Sequence, residues 1–219
     1  MSTPRAHFVE HLHELEHGIQ QLAEAVDARV GDALRALRER DAELARSVIE
    51  ADREVNAKQL QIEVDCITLI AEQAPVAGDL RLAVSVLFTA SELERVGDYA
   101  VAIARIAEQA PDDGPLPLLD ELLAMSTRAR PMLHQAVAAL LERDEASARK
   151  VGLADEAIDQ AQERIYWEML QRISDEAHTF EARMHVLWVA HHLERLADRA
   201  TNIAERAIYV ATGEIAELN

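Results

Sequence analysis

A glutamate and an aspartate stand four residues apart in ASELERVGDYAVAIARIAE, residues 90–108, and again in AHHLERLADRATNIAERAI, residues 190–208. They are Glu94 with Asp98 and Glu194 with Asp198. Four residues of α-helix rotate about 40° past a full turn and rise ~6 Å, so each pair projects from one face. Carboxylates so placed repel by roughly 0.2–0.5 kcal/mol unless a positive charge lies between them. The chemistry such a pattern suits is the holding of a cation.

A second block carries more of the same. ERDAELARSVIEAD, residues 39–52, matches ERDEASARKVGLAD, residues 142–155, at an offset of 103, close to the offset of 100 in the later block. Four residues beyond each closing aspartate stands another oxygen-bearing side chain, giving Asp52 with Asn56 and Asp155 with Asp159. The chain is therefore a duplication of a unit about a hundred residues long. If the helices carrying the two kinds of pair are neighbours, Asp52 and Asn56 stand beside Glu94 and Asp98, and Asp155 and Asp159 beside Glu194 and Asp198. Such a donor set is all oxygen, which favours Mg²⁺, Ca²⁺, Mn²⁺ or iron over zinc. The plain alternative is a solvated helix face, because a chain with 40 acidic residues forms such pairs readily and a duplication copies surface residues as it copies ligands.

The elements that position these acids are long helices. Phe8, Leu12, Leu15, Ile19, Leu22, Val26, Val30, Ala33 and Leu37 recur at steps of three and four over 6–39, and Val48, Val55, Ile62 and Leu69 at sevens over 41–73. Pro75 stops the second helix. The third, 76–110, follows the seam Leu82, Val86, Ala90, Leu93, Val96, Ala100, Ile103 and Ala107. Its counterpart runs Ala182, Val186, Ala190, Leu193, Leu196, Ala200, Ile203 and Ala207. PDDGPLP, residues 111–117, is the cluster of breakers between units. The expected architecture is all-α: two tandem three-helix bundles of antiparallel helices, residues 1–110 and 118–219, joined by a linker at 111–117. Helices are expected at 118–142, 144–176 and 178–212, with Pro131 kinking the fourth or marking its start. Glu94 and Asp98 fall on the flank of their seam, so the acids read as a surface feature.

Composition narrows the function further. A net charge of −18 argues against a nucleic-acid partner and suits a cation or a basic protein surface. Cys66 is alone, which excludes an intramolecular disulfide and suits a reducing compartment. No signal-peptide core and no run of about 18 apolar residues is present, so a cytoplasmic location is expected. His7, His11, His13 and His17 crowd one helix, and Glu10 to His13 and Glu14 to His17 mimic the Glu-x-x-His of di-iron bundles. That design needs the motif on two converging helices, so a solvated face is the better reading. His191, three before Glu194, is a candidate extra ligand; Ser91 stands there in the first copy. Trp167, Trp188 and Tyr166 are expected to fill the second core or a groove. No Gly-rich phosphate loop or nucleophile elbow occurs, so nothing points to an enzyme.

ELERVGD and HLERLAD, each late in a hundred-residue helical repeat, with APVAGDLR opening the helix of the first copy, resemble the PhoU family of bacterial phosphate-uptake regulators. The likeness covers essentially the whole chain. It implies tandem three-helix bundles with multinuclear metal clusters on E/D-x-x-x-D motifs, here Glu94, Asp98, Glu194, Asp198, Asp52, Asp155 and Asp159. It also implies a non-enzymatic repressor of the phosphate regulon, often dimeric. Its partners are the ATPase subunit of the phosphate ABC transporter and a membrane sensor histidine kinase, which recruit it to the inner face of the membrane. The competing class is a di-metal carboxylate oxidase or metal-storage bundle. Two departures matter: Asn56 leaves the first site one charge poorer, and Ala197 stands where the first copy has Gly97. Arg81 is expected to make a salt bridge or a helix-start contact.

Overall fold

The reversal between the first two helices is built from the repeated Glu-Arg-Asp. Helix α1 (Pro4–Glu39) ends where Arg40 turns left-handed at φ 57°, and Asp41 then caps α2 (Ala42–Gln73) by accepting the Leu44 amide at 2.9 Å. The second copy repeats the device after α4 (Leu119–Glu142). Arg143 is left-handed at φ 56°, and Asp144 accepts the Ser147 amide at 3.1 Å as α5 (Glu145–Gln171) begins. So short a connection leaves each following helix no course but back along its predecessor. Helix α2 ends at Gln73, with left-handed Ala74 before Pro75, and α3 (Ala77–Gln109) returns. Helix α6 (Phe180–Thr212) completes the second bundle. The coordinates, a computed structural model, describe residues 4–109, 116–171 and 180–218. Most of the expected linker, and the ends drawn at 176 and 178, lie outside the described residues.

The apolar seams form the cores. Every residue named for the seams of α3 and α6 is buried, as are Val48, Val55, Ile62 and Leu69 of α2. In α1 the seam from Leu12 to Leu37 is buried, with Phe8 half-buried at its margin. Helix α4 runs from Leu119 through Pro131, so the proline does not mark its start. The expectation for the aromatics fails in part. Trp167 is 55% exposed and donates to Glu163, and Tyr166 lies edge-on to it, so neither ring fills the core. These rings sit on the outer face of α5, away from buried Ile165 and Met169. Trp188, half exposed, lines a groove between α3 and α6.

The bundles pack with α3 antiparallel to α6 and α1 against α4. At the first seam Glu92 accepts Arg199 at 3.0 Å and Asn202 at 2.9 Å. Eleven ångströms of helix further on, seven residues by the ~1.5 Å rise, Tyr99 stacks on His192 and lies under Arg195. Arg206 covers Phe88, with its guanidinium carbon 4.4 Å from the ring centre. Between α1 and α4, Arg130 donates to both oxygens of Asp27, at 2.6 and 2.8 Å, and His134 approaches the same carboxylate at 3.2 Å. Arg81 does not pair with an acid in its own helix start. It reaches across to α6, donating to the Val210 carbonyl at 3.4 Å, where a cation complements the negative end of the helix.

Candidate metal centre

Packing of α2 on α3, and of α5 on α6, brings the predicted residues into two groups. In the first, Asp52 bears on both Glu94 and Asp98. Burial and the neighbouring Asp98 and Asp52 carboxylates push Glu94 above the usual range, and burial with Asp52 does the same to Asp98. The Asn56 amide donates to Asp52 Oδ2 at 3.1 Å, so the residue that cost the site a charge also occupies one of its oxygens. Asp52 Oδ1 and Asn56 Oδ1 are buried without a hydrogen-bond partner.

The second group is deeper. Asp155 is only 6% exposed, which departs from the expectation of a surface feature. It sits four residues after Val151 and three before Ile158, both fully buried, and so lies in the seam of α5. Burial first, then the charges of Asp159, Asp198 and Glu194, push it up to about 6. Burial with Asp198 and Asp159 pushes Glu194 up to about 7, against the relief given by Arg195 and Arg199. Asp159 is raised by burial and by Asp198. Asp155 Oδ1 and Glu194 Oε2 are buried and unpartnered. His191 Nδ1 lies 3.3 Å from Glu194 Oε2, off the line of a hydrogen bond. All four acids line one cavity of about 590 Å³, with Leu218 as part of its wall.

Buried carboxylate oxygens without donors, crowded until they resist ionising, are what a bound cation would relieve, and the donor set fits a hard one. Among the described residues no three His, Cys, Asp or Glu side chains are already gathered as a ligand shell. The amino-terminal histidines make only local contacts, His13 with Glu16 and His17 with Gln21. Burial and nearby acids push the Cys66 thiol up to about 12, so it supplies no thiolate.

The family model for the PhoU domain matches residues 19–107 and again 122–207. The chain belongs to the PhoU family. It is 33% identical over 208 residues to a phosphate-specific transport system accessory protein PhoU homolog of Streptococcus pneumoniae, covering 95% of this chain and 96% of that one. To the PhoU accessory protein of Escherichia coli K12 it is 30% identical over 203 residues, covering 93% and 84%. The crystal structure of the phosphate transport system regulatory protein PhoU from Streptococcus pneumoniae matches with a TM-score of 0.89 at 31% identity, over 96% of this chain and 99% of that one. PhoU from Pseudomonas aeruginosa matches equally, at 0.89 and 29%, over 94% and 100%. These relatives carry accessory and regulatory names, not enzyme names.

Some residues of this PhoU chain's sites escaped the sequence reading. Glu63 adds to the charge on Glu94 and accepts from Gln59 and Ser91. It stands seven residues after Asn56, so the face of α2 bearing Asp52 and Asn56, followed one step further, would have found it. Gly152 and Leu218 at the second site carry no such signal. Among the described residues no helix is long and apolar enough to cross a membrane.

Proposed function

We propose that the protein is a metal-binding regulator of phosphate uptake that docks on the phosphate ABC transporter and links its state to a sensor histidine kinase. The observation that carries the metal part of this reading is the pair of carboxylate groups at the α2/α3 and α5/α6 seams, each with a buried side-chain oxygen that makes no hydrogen bond. The transporter part rests on the relatives, named as accessory to the phosphate-specific transport system. The kinase link, the cytoplasmic location at the membrane's inner face and a homodimer rest on the family resemblance.

A bound Mn²⁺, Mg²⁺, Ca²⁺ or iron ion supplies positive charge where the carboxylates repel. Asp155 and Asp159 hold it from α5, and Glu194 and Asp198 from α6, so the set of one helix on the other is fixed. Asp52, Asn56, Glu94 and Asp98 do the same between α2 and α3. The acidic ridges become a near-neutral surface on which a partner protein docks without facing a field of like charge. Apart from Asp155 in the α5 seam, the acids stand outside cores that are overwhelmingly apolar, so chelation leaves the helices folded.

Elemental analysis of untagged protein purified without chelator tests the site. Full metal content in a Glu194→Ala, Asp198→Ala double variant removes the second group from the account. Pull-down from membranes with and without chelator tests the docking, and equal retention of the transporter ATPase in both refutes a metal-dependent surface. Oxygen consumption on adding Fe²⁺ would replace this reading with the di-metal oxidase or storage class.

A further inference from the structure

The chain beyond α6 forms part of the wall of the second site. Beyond α6 the chain turns at Gly213, φ +84°, where the Gly213 amide closes on Tyr209 and the Thr212 hydroxyl accepts the Glu214 amide at 3.0 Å. Arg81 of the first bundle holds this turn. Its guanidinium lies 3.5 Å from where a Cβ on Gly213 would stand. Residues 214–218 then run back along α6 until the Leu218 amide donates to Glu205 at 2.9 Å. There the Leu218 side chain lies on Gly152, so close that a Cβ added to the glycine would stand 2.9 Å from Leu218 Cβ.

A glycine inside a helix costs about 1 kcal/mol relative to alanine. The contact with Leu218 supplies a reason for one in mid-α5, one turn before Asp155. The repeat-equivalent of Gly152 is Ile49, a side chain half-buried against the first core. Leu218 also lines the cavity holding Asp155, Asp159, Glu194 and Asp198.

Resting on the cation-binding reading above, we propose that residues 213–218 are a strap governing cation exchange at the second acid site, with docked strap and occupied site stabilising one another. Leu218 on Gly152 narrows the mouth beside Asp155, and an ion that draws α5 and α6 together tightens the bed on which Leu218 rests. Linkage makes the effect reciprocal: what slows the ion's escape is held in place by the ion. Arg81 ties the strap's turn to the first bundle, so exchange at this site also senses the packing of α3 on α6.

The test uses the full chain loaded with Mn²⁺ and followed through chelator-driven release. Glu194→Gln identifies which kinetic phase belongs to the second site. Gly152→Ala pushes Leu218 off while favouring helix in α5, so it does not act by unfolding, and Leu218→Ser removes the same contact from the other side. Release from the second site is expected to quicken about tenfold in both, equivalent to ~1.4 kcal/mol, with the first site unchanged. Hydrogen exchange of the 213–218 amides is expected to slow when Mn²⁺ is added to the parent and not to slow in Glu194→Gln. Equal release rates with Mn²⁺ still bound overturn the strap and leave the metal site standing. A parent chain that binds no Mn²⁺ overturns both.

Discussion

Replacing Asp155 by asparagine is expected to stabilise the metal-free protein at alkaline pH, the opposite of what removing a buried polar contact normally does. Asp155 is pushed from an ordinary value near 3.8 up to about 6 by burial and by Asp159, Asp198 and Glu194. Its folded form thus binds a proton more tightly than the unfolded chain, and the stability this lends is complete below pH ~4 and lost as pH rises toward 6. At about 1.4 kcal/mol per tenfold, the loss by pH 8 is at most ~3 kcal/mol. The cluster titrates as a unit with Glu194, so this is shared and not additive. Asparagine removes the charge but brings an amide whose donors are imperfectly met, costing about 1 kcal/mol. A net gain of ~1–2 kcal/mol in a chain this long corresponds to roughly 2–8 °C in Tm. The assay is thermal unfolding by circular dichroism in chelator at pH 8 and pH 4.5, with a gain at the first and none at the second. Adding Mn²⁺ should raise the Tm of the parent and leave Asp155→Asn little changed. A variant that melts lower than the parent at pH 8 without metal would mean that Asp155 is an ordinary structural contact, and the electrostatic account of the site fails.

Further expectations concern the frame that holds the sites. Arg130→Ala should cost about 1–3 kcal/mol in thermal or denaturant unfolding, because it strips two hydrogen bonds from half-buried Asp27. Burial alone would raise that carboxyl, but Arg130 and His134 outweigh it and hold it below the usual range. Its stability is therefore present above pH ~4 and lost on acidification, and Arg130→Ala should flatten the acid limb of the stability profile. Gly97→Ala places a Cβ 3.2 Å from Val55, tighter than an ordinary contact, and should destabilise less when Val55→Ala is also present, a coupling that a double-mutant cycle reads directly. Asp41→Ala removes the α2 cap and should cost about 1 kcal/mol without altering metal content.

The fold was legible because long helices repeat their core residues every three or four positions. The flank position of Glu94 and Asp98 followed from the same wheel. The depth of Asp155 did not, because it is set by the seam of α5, where Ala148, Val151, Asp155 and Ile158 form one buried line, and not by the seam of α6. Asp52 stands at the corresponding register between Val48 and Val55, but is only half-buried there. So α2 and α5 offer their acids from within the seam, and α3 and α6 from beside it. Contacts between the bundles were illegible for another reason: which of many polar surface residues meet is decided by tertiary placement. Glu92 and Arg199 lie 107 residues apart with no local signal in either. The strap was hidden likewise, since GEIAEL has no period to mark it as docked.

The duplication itself explains why the two halves had to diverge. Glu92 meets Arg199 and Tyr99 meets His192, and at the repeat offset of 100 these are one contact seen from its two sides: an ion pair on one, a ring stack on the other. The bundles are therefore related by an approximate two-fold axis. Any residue on such an axis faces its own counterpart, and Asp27 and Arg130 are counterparts at the offset of 103. An unaltered copy would have set aspartate against aspartate, half-buried, with no donor for either. Divergence to arginine turns the self-contact into a bidentate ion pair and fixes one arrangement of the bundles. The second acid site lies beside this interface: Asp198 is 3.8 Å from Arg199, which holds Glu92. A charge gained or lost at Asp198 is thereby felt by the residue that joins the two bundles, whereas Asp98 opens on the groove of His185, Trp188 and His192. The two sites are built from one motif but address different neighbours, which is why their ion affinities and their effects on the interface need not be alike.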